Sequence, residues 1–307
     1  TIGGAEINLF NLANELAKNN TCEVTFYVGD FGQKDIEKYG HVTVKKFKYL
    51  IAGNKHKIYH KVFRQLMIYK QIAFTGGDIY ITTCASDFLG KMALVTKLLR
   101  WKKVIFRLAH DLDTDVDNAL NVDEKQRGWY RFGLKNTHRI VCQTERQKLL
   151  LKERSGRDGI IIKNGFPLSD KTDYGSKKSI LWVARAVSWK RPELFISLAK
   201  QLPNEKFVLI MPSNEAGNDD TGKNKDVRET KQRVHALLKG MKNVELINYV
   251  PFNEIQRYFE QAKLFVNTSE HEGFPNTFIQ SCLARTPILS FNVNPDDIIN
   301  KYNMGCC

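Results

Sequence analysis

The sequence lacks any apolar run approaching about 18 residues, the length from which a bilayer-spanning helix is normally inferred. It also lacks a Cys-x-x-Cys pair, and its six cysteines, at positions 22, 84, 142, 282, 306 and 307, follow no regular spacing. We therefore expect neither a membrane-spanning protein nor a disulfide framework. Free thiols in a reducing cytoplasm are the prediction.

Acidic residues are scarce as well: 33 Asp and Glu stand against 47 Lys and Arg, which gives a formal net charge of +14. Net charge bears on partners rather than on fold. Nucleic acid, an anionic membrane surface and phosphorylated small molecules all stay open as partners. With 307 residues, of which 42% are hydrophobic and 26% charged, the chain has the composition of a globular protein, and disorder over most of it is excluded.

The densest basic segment, residues 45–70, contains eight Lys and Arg and no acid. From Ile58 onward its apolar residues follow helical spacing, which predicts a basic amphipathic helix. This helix either packs on its domain with a solvated Lys and Arg face or docks on anionic lipid headgroups.

Short β-rich runs alternate with helical patterns along the chain, which predicts an α/β fold of parallel sheets with helices on both faces. Strands are expected at residues 23–28, 42–47, 78–83, 103–108, 139–143, 159–162, 179–184, 207–211, 244–247, 264–267 and 288–291. Helices are expected at 5–18, 86–100, 145–153, 191–201, 228–239, 253–261 and 276–285, and a polar surface loop at 213–226.

Residues 171–178 are polar and without periodicity, which predicts a linker between two domains, 1–170 and 171–307. The first helix has no strand before it, and the chain stops just after a helical pattern. We therefore expect a fragment that lacks the first strand of its N-terminal domain and the end of its C-terminal domain. Open parallel sheets bind ligands at the carboxyl ends of their strands, so a cleft between the two halves is the expected site.

Gly3 and Gly4 stand directly before the first predicted helix. Without side chains they let the backbone approach a ligand, and the helix start points free N–H groups toward it, which suits a phosphate. Because glycine pairs often precede helices, an ordinary helix start is the alternative.

Arg185 and Lys190 flank the loop between the strand at 179–184 and the next helix. Two cations placed across such a loop are suited to clamp a diphosphate and to neutralise the charge that builds on a departing nucleotide. The alternative is ordinary loop charge on a basic protein.

Residues 269–280 carry the strongest signal, because they follow the apolar strand at 264–267 and open a helix. Glu272 is expected in the loop, where the backbone N–H groups of residues 273–276 would face a ligand. Gln280 falls about one turn into the helix. This acid and this amide are spaced to hold the hydroxyls of a sugar and of a ribose. A polar loop that caps a helix is the alternative.

These three motifs, in this order along the chain, resemble those of the retaining GT-B glycosyltransferases of family four, which have a "glycosyl transferases group 1" catalytic domain. The Glu-Gly-Phe-Pro-Asn segment at 272–276 is a specific part of this resemblance. The similarity covers nearly the whole chain and is strongest over 179–294. It implies two Rossmann-like, doubly wound parallel-sheet domains facing a cleft. The nucleotide-sugar donor would bind mainly to the C-terminal domain and the acceptor to the N-terminal domain.

The family pattern is Glu-x7-Glu, and this chain has Glu272 at the first position but Gln280 at the second. The resemblance implies that Glu272 lies by the donor sugar and that Gln280 bonds the ribose hydroxyls. An amide still donates and accepts hydrogen bonds, although it carries no charge.

The resemblance also implies roles for other positions. Arg185 and Lys190 would bind the donor diphosphate, and His110 would lie near the transferred sugar, with a helix-capping or surface histidine as the alternative. The predicted catalytic residues are thus His110, Arg185, Lys190 and Glu272. The predicted nucleotide-sugar-binding residues are Gly3 and Gly4 in the glycine loop, Asn164 in a Lys-Asn-Gly segment like the family's Pro-Asn-Gly, Tyr249 and Val250 at the nucleobase, Gly273, Phe274, Pro275, Asn276 and Thr277 in the loop after Glu272, and Gln280.

Asp111, Asp113 and Asp115 cluster after the strand at 103–108, and hard cations bind clustered carboxylates. The family resembled works without a metal, so we expect neither metal nor cofactor, and the nucleotide-sugar is a substrate. The three carboxylates are expected to cap the next segment or to face solvent.

The sequence thus predicts an enzyme that moves a sugar from a nucleotide-sugar to a hydroxyl of a glycan or lipid-linked acceptor, in polysaccharide or glycolipid biosynthesis. It is expected in the cytoplasm, or peripheral on the inner face of the membrane. Three alternatives stay open: a GT-B nucleotide-sugar epimerase, an inactive binding scaffold suggested by Gln280, and a basic nucleic-acid-binding protein. Because base-stacking aromatic motifs are missing and the charge is spread, no nucleic-acid partner is expected.

Overall fold

The computed structural model describes residues 4–19, 22–30, 32–47, 58–119, 122–168, 177–212 and 222–307. The chain divides into two compact units, Gly3–Gly165 and Phe166–Cys307, named here the N-terminal and C-terminal units. The change of unit lies close to the predicted boundary between residues 170 and 171. Most of the predicted linker lies outside the described residues.

The N-terminal unit alternates helices and strands. Its helices are α1 (Gly4–Lys18), α2 (Ile58–Phe74), α3 (Asp87–Leu98), α4 (Arg127–Asn136) and α5 (Glu145–Ser155). Its strands are β1 (Thr25–Val28), β2 (Ile36–Tyr39), β3 (Val42–Lys46), β4 (Ile79–Thr83), β5 (Lys103–Arg107), β6 (Arg139–Cys142) and β7 (Ile160–Ile161). They form two sheets, ordered β1-β3-β2 and β4-β5-β6-β7, and every pair of the second sheet is parallel.

Local sequence explains how these elements begin and end. Thr144 caps α5, because its Oγ1 accepts the N–H of Gln147 at 3.0 Å. The same helix ends at Gly156, which has a left-handed φ of 66°. In β5, Val104 and Phe106 are completely buried, as expected for a strand inside a covered parallel sheet.

The first sheet contains a strand that the sequence did not predict. β2 pairs antiparallel with β3, and Gly40, with a φ of 59°, forms the turn between them. The strand was missed because its four residues are mostly exposed and show no alternation of apolar and polar side chains.

The described residues of the C-terminal unit form one six-stranded sheet. Its strands are β8 (Ser179–Val183), β9 (Lys206–Ile210), β10 (Val244–Ile247), β11 (Ala262–Asn267), β12 (Ile288–Ser290) and β13 (Gly305–Cys306), in the order β10-β9-β8-β11-β12-β13. Every pair is parallel. Its helices are α6 (Pro192–Gln201), α7 (Gly222–Leu238), α8 (Phe252–Gln261), α9 (Asn276–Leu283) and α10 (Ile298–Lys301).

The strands of this sheet face two apolar cores. Leu181 of β8 packs in one core with Phe259 of α8, whereas Ile180 and Trp182 pack in the other core with Phe195 of α6. Successive strand residues point to opposite faces. Helices therefore cover both sides of the sheet, which is the doubly wound arrangement that the sequence predicted.

Two helices differ from the sequence prediction: one was not predicted, and the other begins earlier than expected. α4 was not predicted, because its ten residues include two glycines and few apolar side chains. α7 begins at Gly222, inside the stretch that was expected to be a surface loop as far as residue 226. Its first half is almost wholly polar, so it shows no apolar periodicity. Val234 is its one fully buried apolar side chain among the described residues, and Val227, Leu237 and Leu238 pack against the same core while partly exposed.

α3 and α4 cross at two glycines. A Cβ on Gly133 would lie 2.7 Å from the backbone nitrogen of Gly90, and a Cβ on Gly90 would lie 2.2 Å from the carbonyl oxygen of Trp129. No side chain fits at such distances, so both positions require glycine. On the same helix as Gly133, Tyr130 donates its hydroxyl hydrogen to the backbone oxygen of Asp113, which ties α4 to the segment that follows β5.

α2 has two unlike faces. Ile68 and Ile72 are buried in the N-terminal core, whereas Val62, Phe63 and Leu66 are 57–61% exposed. The helix thus presents apolar side chains to solvent from within the basic segment. Among the described helices, none is both long enough and apolar enough to cross a bilayer.

All six cysteines have free thiols in the structure. Cys142, the last residue of β6, is buried, and burial raises the pKa of its thiol to about 11. Because the thiolate is the reactive form, this cysteine is chemically inert at neutral pH.

We predict that Gly133→Ala lowers the free energy of unfolding of the protein by about 1–3 kcal/mol, the usual cost of forcing extra atoms into a packed contact. Gly128→Ala is the matched control on the same helix, since its new Cβ would meet nothing within 4 Å and alanine favours helix by up to about 1 kcal/mol. Urea unfolding followed by circular dichroism compares the two variants. Equal stability of both would contradict the close crossing of α3 and α4.

Candidate active site

Two loops at the carboxyl edge of the C-terminal sheet hold most of the predicted residues. β8 and β11 are adjacent and parallel, with Leu181 opposite Phe265, so both strands end at the same edge. Residues 184–191 follow β8, and residues 268–275 follow β11. Since neighbouring strands lie about 4.8 Å apart, the two loops lie side by side.

Lys190 and Glu272 form a buried ion pair across these loops. Their side chains are 12% and 13% exposed, and Oε1 of Glu272 also accepts a hydrogen bond from Oγ of Ser269 at 2.8 Å. The Lys190 ammonium lies 4.1 Å from the ring centroid of Trp189, within the range of cation–π attraction. One carboxylate and one aromatic ring therefore hold the lysine.

Burial lowers the pKa of Lys190, although the carboxylate of Glu272 acts in the opposite direction. The positive charge of Arg185 lowers this pKa as well, which places Arg185 within electrostatic reach of the lysine. Two of the predicted catalytic cations and the predicted catalytic carboxylate thus occupy one site.

Thr268 fixes the two loops to each other. Its Oγ1 donates to the backbone oxygen of Lys190 at 2.6 Å and accepts from Nε1 of the core residue Trp182 at 2.8 Å. Its own backbone oxygen accepts from Nε of Arg191 at 2.8 Å. Arg191 has a left-handed φ of 47° and immediately precedes α6. The position of Lys190 is therefore set by uncharged contacts as well as by its ion pair.

A stacked pair of rings, Trp189 and His271, was not predicted from the sequence. Their centroids lie 4.9 Å apart and their planes are inclined by 12°. Each ring precedes a member of the ion pair by one residue, so the stack joins the same two loops. The sequence signal was only this position beside Lys190 and Glu272, because neither residue indicates a stack by itself.

The loop after Glu272 leads directly into α9, which carries Gln280. Gly273 and Pro275 are buried and Phe274 packs against the core, while Asn276 and Thr277 open the helix. The first-turn N–H groups of a helix have no partner within it, so this segment can offer donors to a ligand.

Gln280 is 7% exposed, and its backbone oxygen accepts from Nε2 of Gln256 at 3.1 Å. Its side-chain amide makes no hydrogen bond to any residue that the structure describes. A buried amide normally has partners, so this side chain retains unused donors and an acceptor.

Tyr249 and Val250 follow β10, which lies two strands from β8 in the sheet order. The spacing of strands puts them about 10 Å from the loop that carries Lys190. Tyr249 is 62% exposed, whereas Val250 packs against the core. They lie at the same edge as the ion pair but at a distance from it.

The remaining predicted residues belong to the N-terminal unit. Gly3 lies outside the described residues, and Gly4 is the first residue of α1. His110 caps a short 3₁₀ helix, and its Nδ1 accepts the N–H of Leu112 at 3.0 Å, so the ring carries its proton on Nε2. Asn164 accepts a hydrogen bond from Arg107 through Oδ1.

The three clustered aspartates have separate partners. Asp113 accepts backbone N–H groups, including that of His110 at 3.0 Å, and burial raises its pKa. The other two carboxylates form ion pairs, Asp111 with Arg146 at 3.1 Å and Asp115 with Arg154 at 3.7 Å. Asp113 is thus a cap, and Asp111 and Asp115 are each paired with an arginine.

Residues 169–306 match the family model of glycosyl transferases group 1. Over 306 residues the chain is 21% identical to an uncharacterized glycosyltransferase of Methanocaldococcus jannaschii, a similarity that covers 98% of this chain and 79% of that protein.

Solved structures share the fold. Sucrose-phosphate synthase of Thermosynechococcus elongatus has a TM-score of 0.70 at 16% identity, covering 94% of this chain and 75% of that one. HepE of Anabaena, solved in complex with UDP-glucose, has a TM-score of 0.65 at 15% identity, covering 94% of this chain and 77% of that one. The fold is GT-B, and the chain is a glycosyltransferase.

We predict that Lys190→Ala lowers the free energy of unfolding by about 3 kcal/mol, because it leaves the carboxylate of Glu272 buried without its counter-ion. Lys206→Ala is the control: Lys206 pairs with Glu245 at 3.1 Å, but the two side chains are 61% and 50% exposed, and such pairs contribute about 1 kcal/mol at most. Urea unfolding at neutral pH measures both. In a double variant, Lys190→Ala with Glu272→Ala, the free energy of unfolding should fall by less than the sum of the decreases in the two single variants.

Proposed function

We propose that the chain transfers a sugar from a nucleotide-sugar to a hydroxyl acceptor with retention at the anomeric carbon. In this proposal a C-terminal domain, 171–307, binds the donor and an N-terminal domain, 1–170, binds the acceptor. The observation that carries it is the Lys190–Glu272 pair at the carboxyl edge of the C-terminal sheet, with Arg185 beside it. Parallel sheets of this kind bind nucleotides at that edge.

Lys190 and Arg185 would stabilise the diphosphate as it leaves. Lys190 is desolvated, so its charge acts through a low local dielectric and is worth more than in water. Before the donor binds, Glu272 is its counter-ion; with the donor bound, the diphosphate oxygens would share that role. The two cations at the leaving group would supply the positive charge that a metal ion supplies in other enzymes. We therefore propose that no metal or cofactor takes part.

Glu272 would bind hydroxyls of the donor sugar rather than attack it. Its Oε1 already accepts from Lys190 and from Ser269, and a carboxylate so engaged is a weak nucleophile. This supports attack by the acceptor on the same face that the diphosphate leaves, with a phosphate oxygen taking the acceptor proton. The unused amide of Gln280 would bond the ribose hydroxyls.

The exposed apolar face of α2 supports a further part of the proposal, namely that the enzyme works at an anionic membrane surface on a lipid-linked acceptor. Val62, Phe63 and Leu66 would enter the interface between headgroups and acyl chains, while neighbouring cations attract the lipid charge. The enzyme would then be a peripheral protein of the cytoplasmic face, acting in polysaccharide or glycolipid biosynthesis.

We expect Arg185→Ala to lower the single-turnover rate constant by about 100- to 1000-fold, the usual cost of removing one donor that stabilises charge in the transition state. Arg185 is exposed and takes no part in the ion pair, so stability should stay unchanged. Lys200→Ala, an exposed cation on α6, is the control. The assay screens UDP-, GDP- and ADP-sugars by release of nucleoside diphosphate. A variant within threefold of wild type would remove Arg185 from the site, and no turnover of any donor would count against the proposed reaction.

We expect the protein to co-sediment with vesicles in proportion to their anionic lipid content, and to dissociate at high salt because charge attraction is screened over about 8–10 Å. A triple variant, Val62→Ser, Phe63→Ser and Leu66→Ser, should lose most of this binding. Leu149→Ser is the control, since Leu149 is 69% exposed on α5, outside the basic segment. Equal sedimentation with neutral and anionic vesicles would refute membrane attachment and leave the transferase proposal standing.

A further inference from the structure

Arg107 is a buried cation that the proposed reaction does not use. It is the last residue of β5, at the carboxyl edge of the second N-terminal sheet, and only 6% of its surface is exposed. Arginine is almost never buried to this extent without a paired charge, because removing a charge from water is costly.

No acidic residue compensates Arg107. Among the described residues no carboxylate lies within 4.0 Å of its guanidinium, and Nη2 has Oδ1 of Asn164 as its one hydrogen-bond acceptor. Burial lowers the pKa of Arg107, and no neighbouring acid offsets that effect. A guanidinium has five N–H donors, so most of its bonding capacity is unused.

Two other cations that the structure describes as buried or nearly buried have carboxylate partners. Lys190 has Glu272, and Lys91 pairs with Asp87 at 2.6 Å. Lys102, which is 4% exposed, has no carboxylate within 4.0 Å among the described residues, but its Nζ donates to the backbone oxygen of Gly77 at 2.7 Å and to the hydroxyl of Tyr80 at 2.9 Å. Among the same residues, Arg107 has neither a carboxylate nor a second acceptor.

The surroundings hold Arg107 in place while leaving its donors available. Nδ2 of Asn164 lies 3.4 Å from Oε1 of Gln143, and Nε2 of Gln143 donates to the backbone oxygen of Leu108 at 2.6 Å. This chain of amides turns the oxygen of Asn164 toward the guanidinium. Nε and Nη1 of Arg107 are not among the described nitrogens that are both fully buried and without a hydrogen-bond partner, whereas Nε of Arg64 is.

We propose that Arg107, positioned by Asn164 and Gln143, binds an oxyanion, a phosphate or carboxylate group carried by the acceptor substrate. The three residues end or follow the adjacent strands β5, β6 and β7, so they meet at the edge where parallel sheets bind ligands. An oxyanion supplies the missing counter-charge, and the planar guanidinium fits it with two parallel hydrogen bonds. The assignment to the acceptor rests on the proposed function, whereas binding of the anion itself does not.

Thermal unfolding tests the site without any turnover. Wild type, Arg107→Gln and Arg139→Gln are compared in chloride, inorganic phosphate and acetate at equal ionic strength; Arg139 is exposed at the opposite end of β6 and is the control. We expect phosphate or acetate to raise the melting temperature of wild type and Arg139→Gln but not of Arg107→Gln. The anion that acts identifies the group.

In chloride alone, Arg107→Gln should melt no lower than wild type, because it removes an uncompensated charge and keeps an amide that can bond Asn164. A purely structural role predicts the opposite result. Titration calorimetry should show the effective anion binding about 10- to 100-fold more weakly to Arg107→Gln, the usual effect of losing charged hydrogen bonds. A lower melting temperature in chloride together with equal anion effects on all three proteins would overturn the site.

Discussion

The buried ion pair between Lys190 and Glu272 is the interaction on which the C-terminal site depends. Each charge is removed from water and is tolerable only while the other is present or a ligand replaces it. The pair therefore has two effects on the site. It draws the loops after β8 and β11 together, and it keeps a desolvated cation ready at the edge where a diphosphate would bind. Thr268 and the Trp189–His271 stack keep the loops aligned, so that the pair can exchange partners without the loops separating.

Arg107 and Lys190 show two ways in which one fold treats a buried cation. Lys190 carries its counter-ion within the chain, so its site is stable when empty and a ligand must compete with Glu272. Arg107 has only an amide oxygen, so its site gains stability when an anion arrives. The first arrangement suits a product that must leave, and the second suits a substrate that must be recognised by its charge.

Sequence alone identified the strand ends and hence the loops in which Lys190 and Glu272 lie, because position along the chain determines which edge of a parallel sheet a residue reaches. It could not identify contacts that depend on how side chains meet. The stack of Trp189 on His271 and the burial of Arg107 arise from neighbours distant in sequence. α4 escaped prediction for a related reason: Gly133 weakens the helix locally but is required by the crossing with Gly90. β2 was not predicted because its exposed residues show no regular pattern, and it is a strand because it pairs with β3.

The order of strands in the C-terminal sheet also governs when the site can assemble. Lys190 and Glu272 are 82 residues apart, and β8 meets its neighbour β11 only after β9 and β10 have been added on the other side. Contacts of such long sequence separation form late, because chain closure must be achieved before they contribute energy. During synthesis, β8 and β9 can pair while β11 and the loop that carries Glu272 are still inside the ribosome. Lys190 is then still exposed to solvent, and its side chain is desolvated only when the sheet is completed.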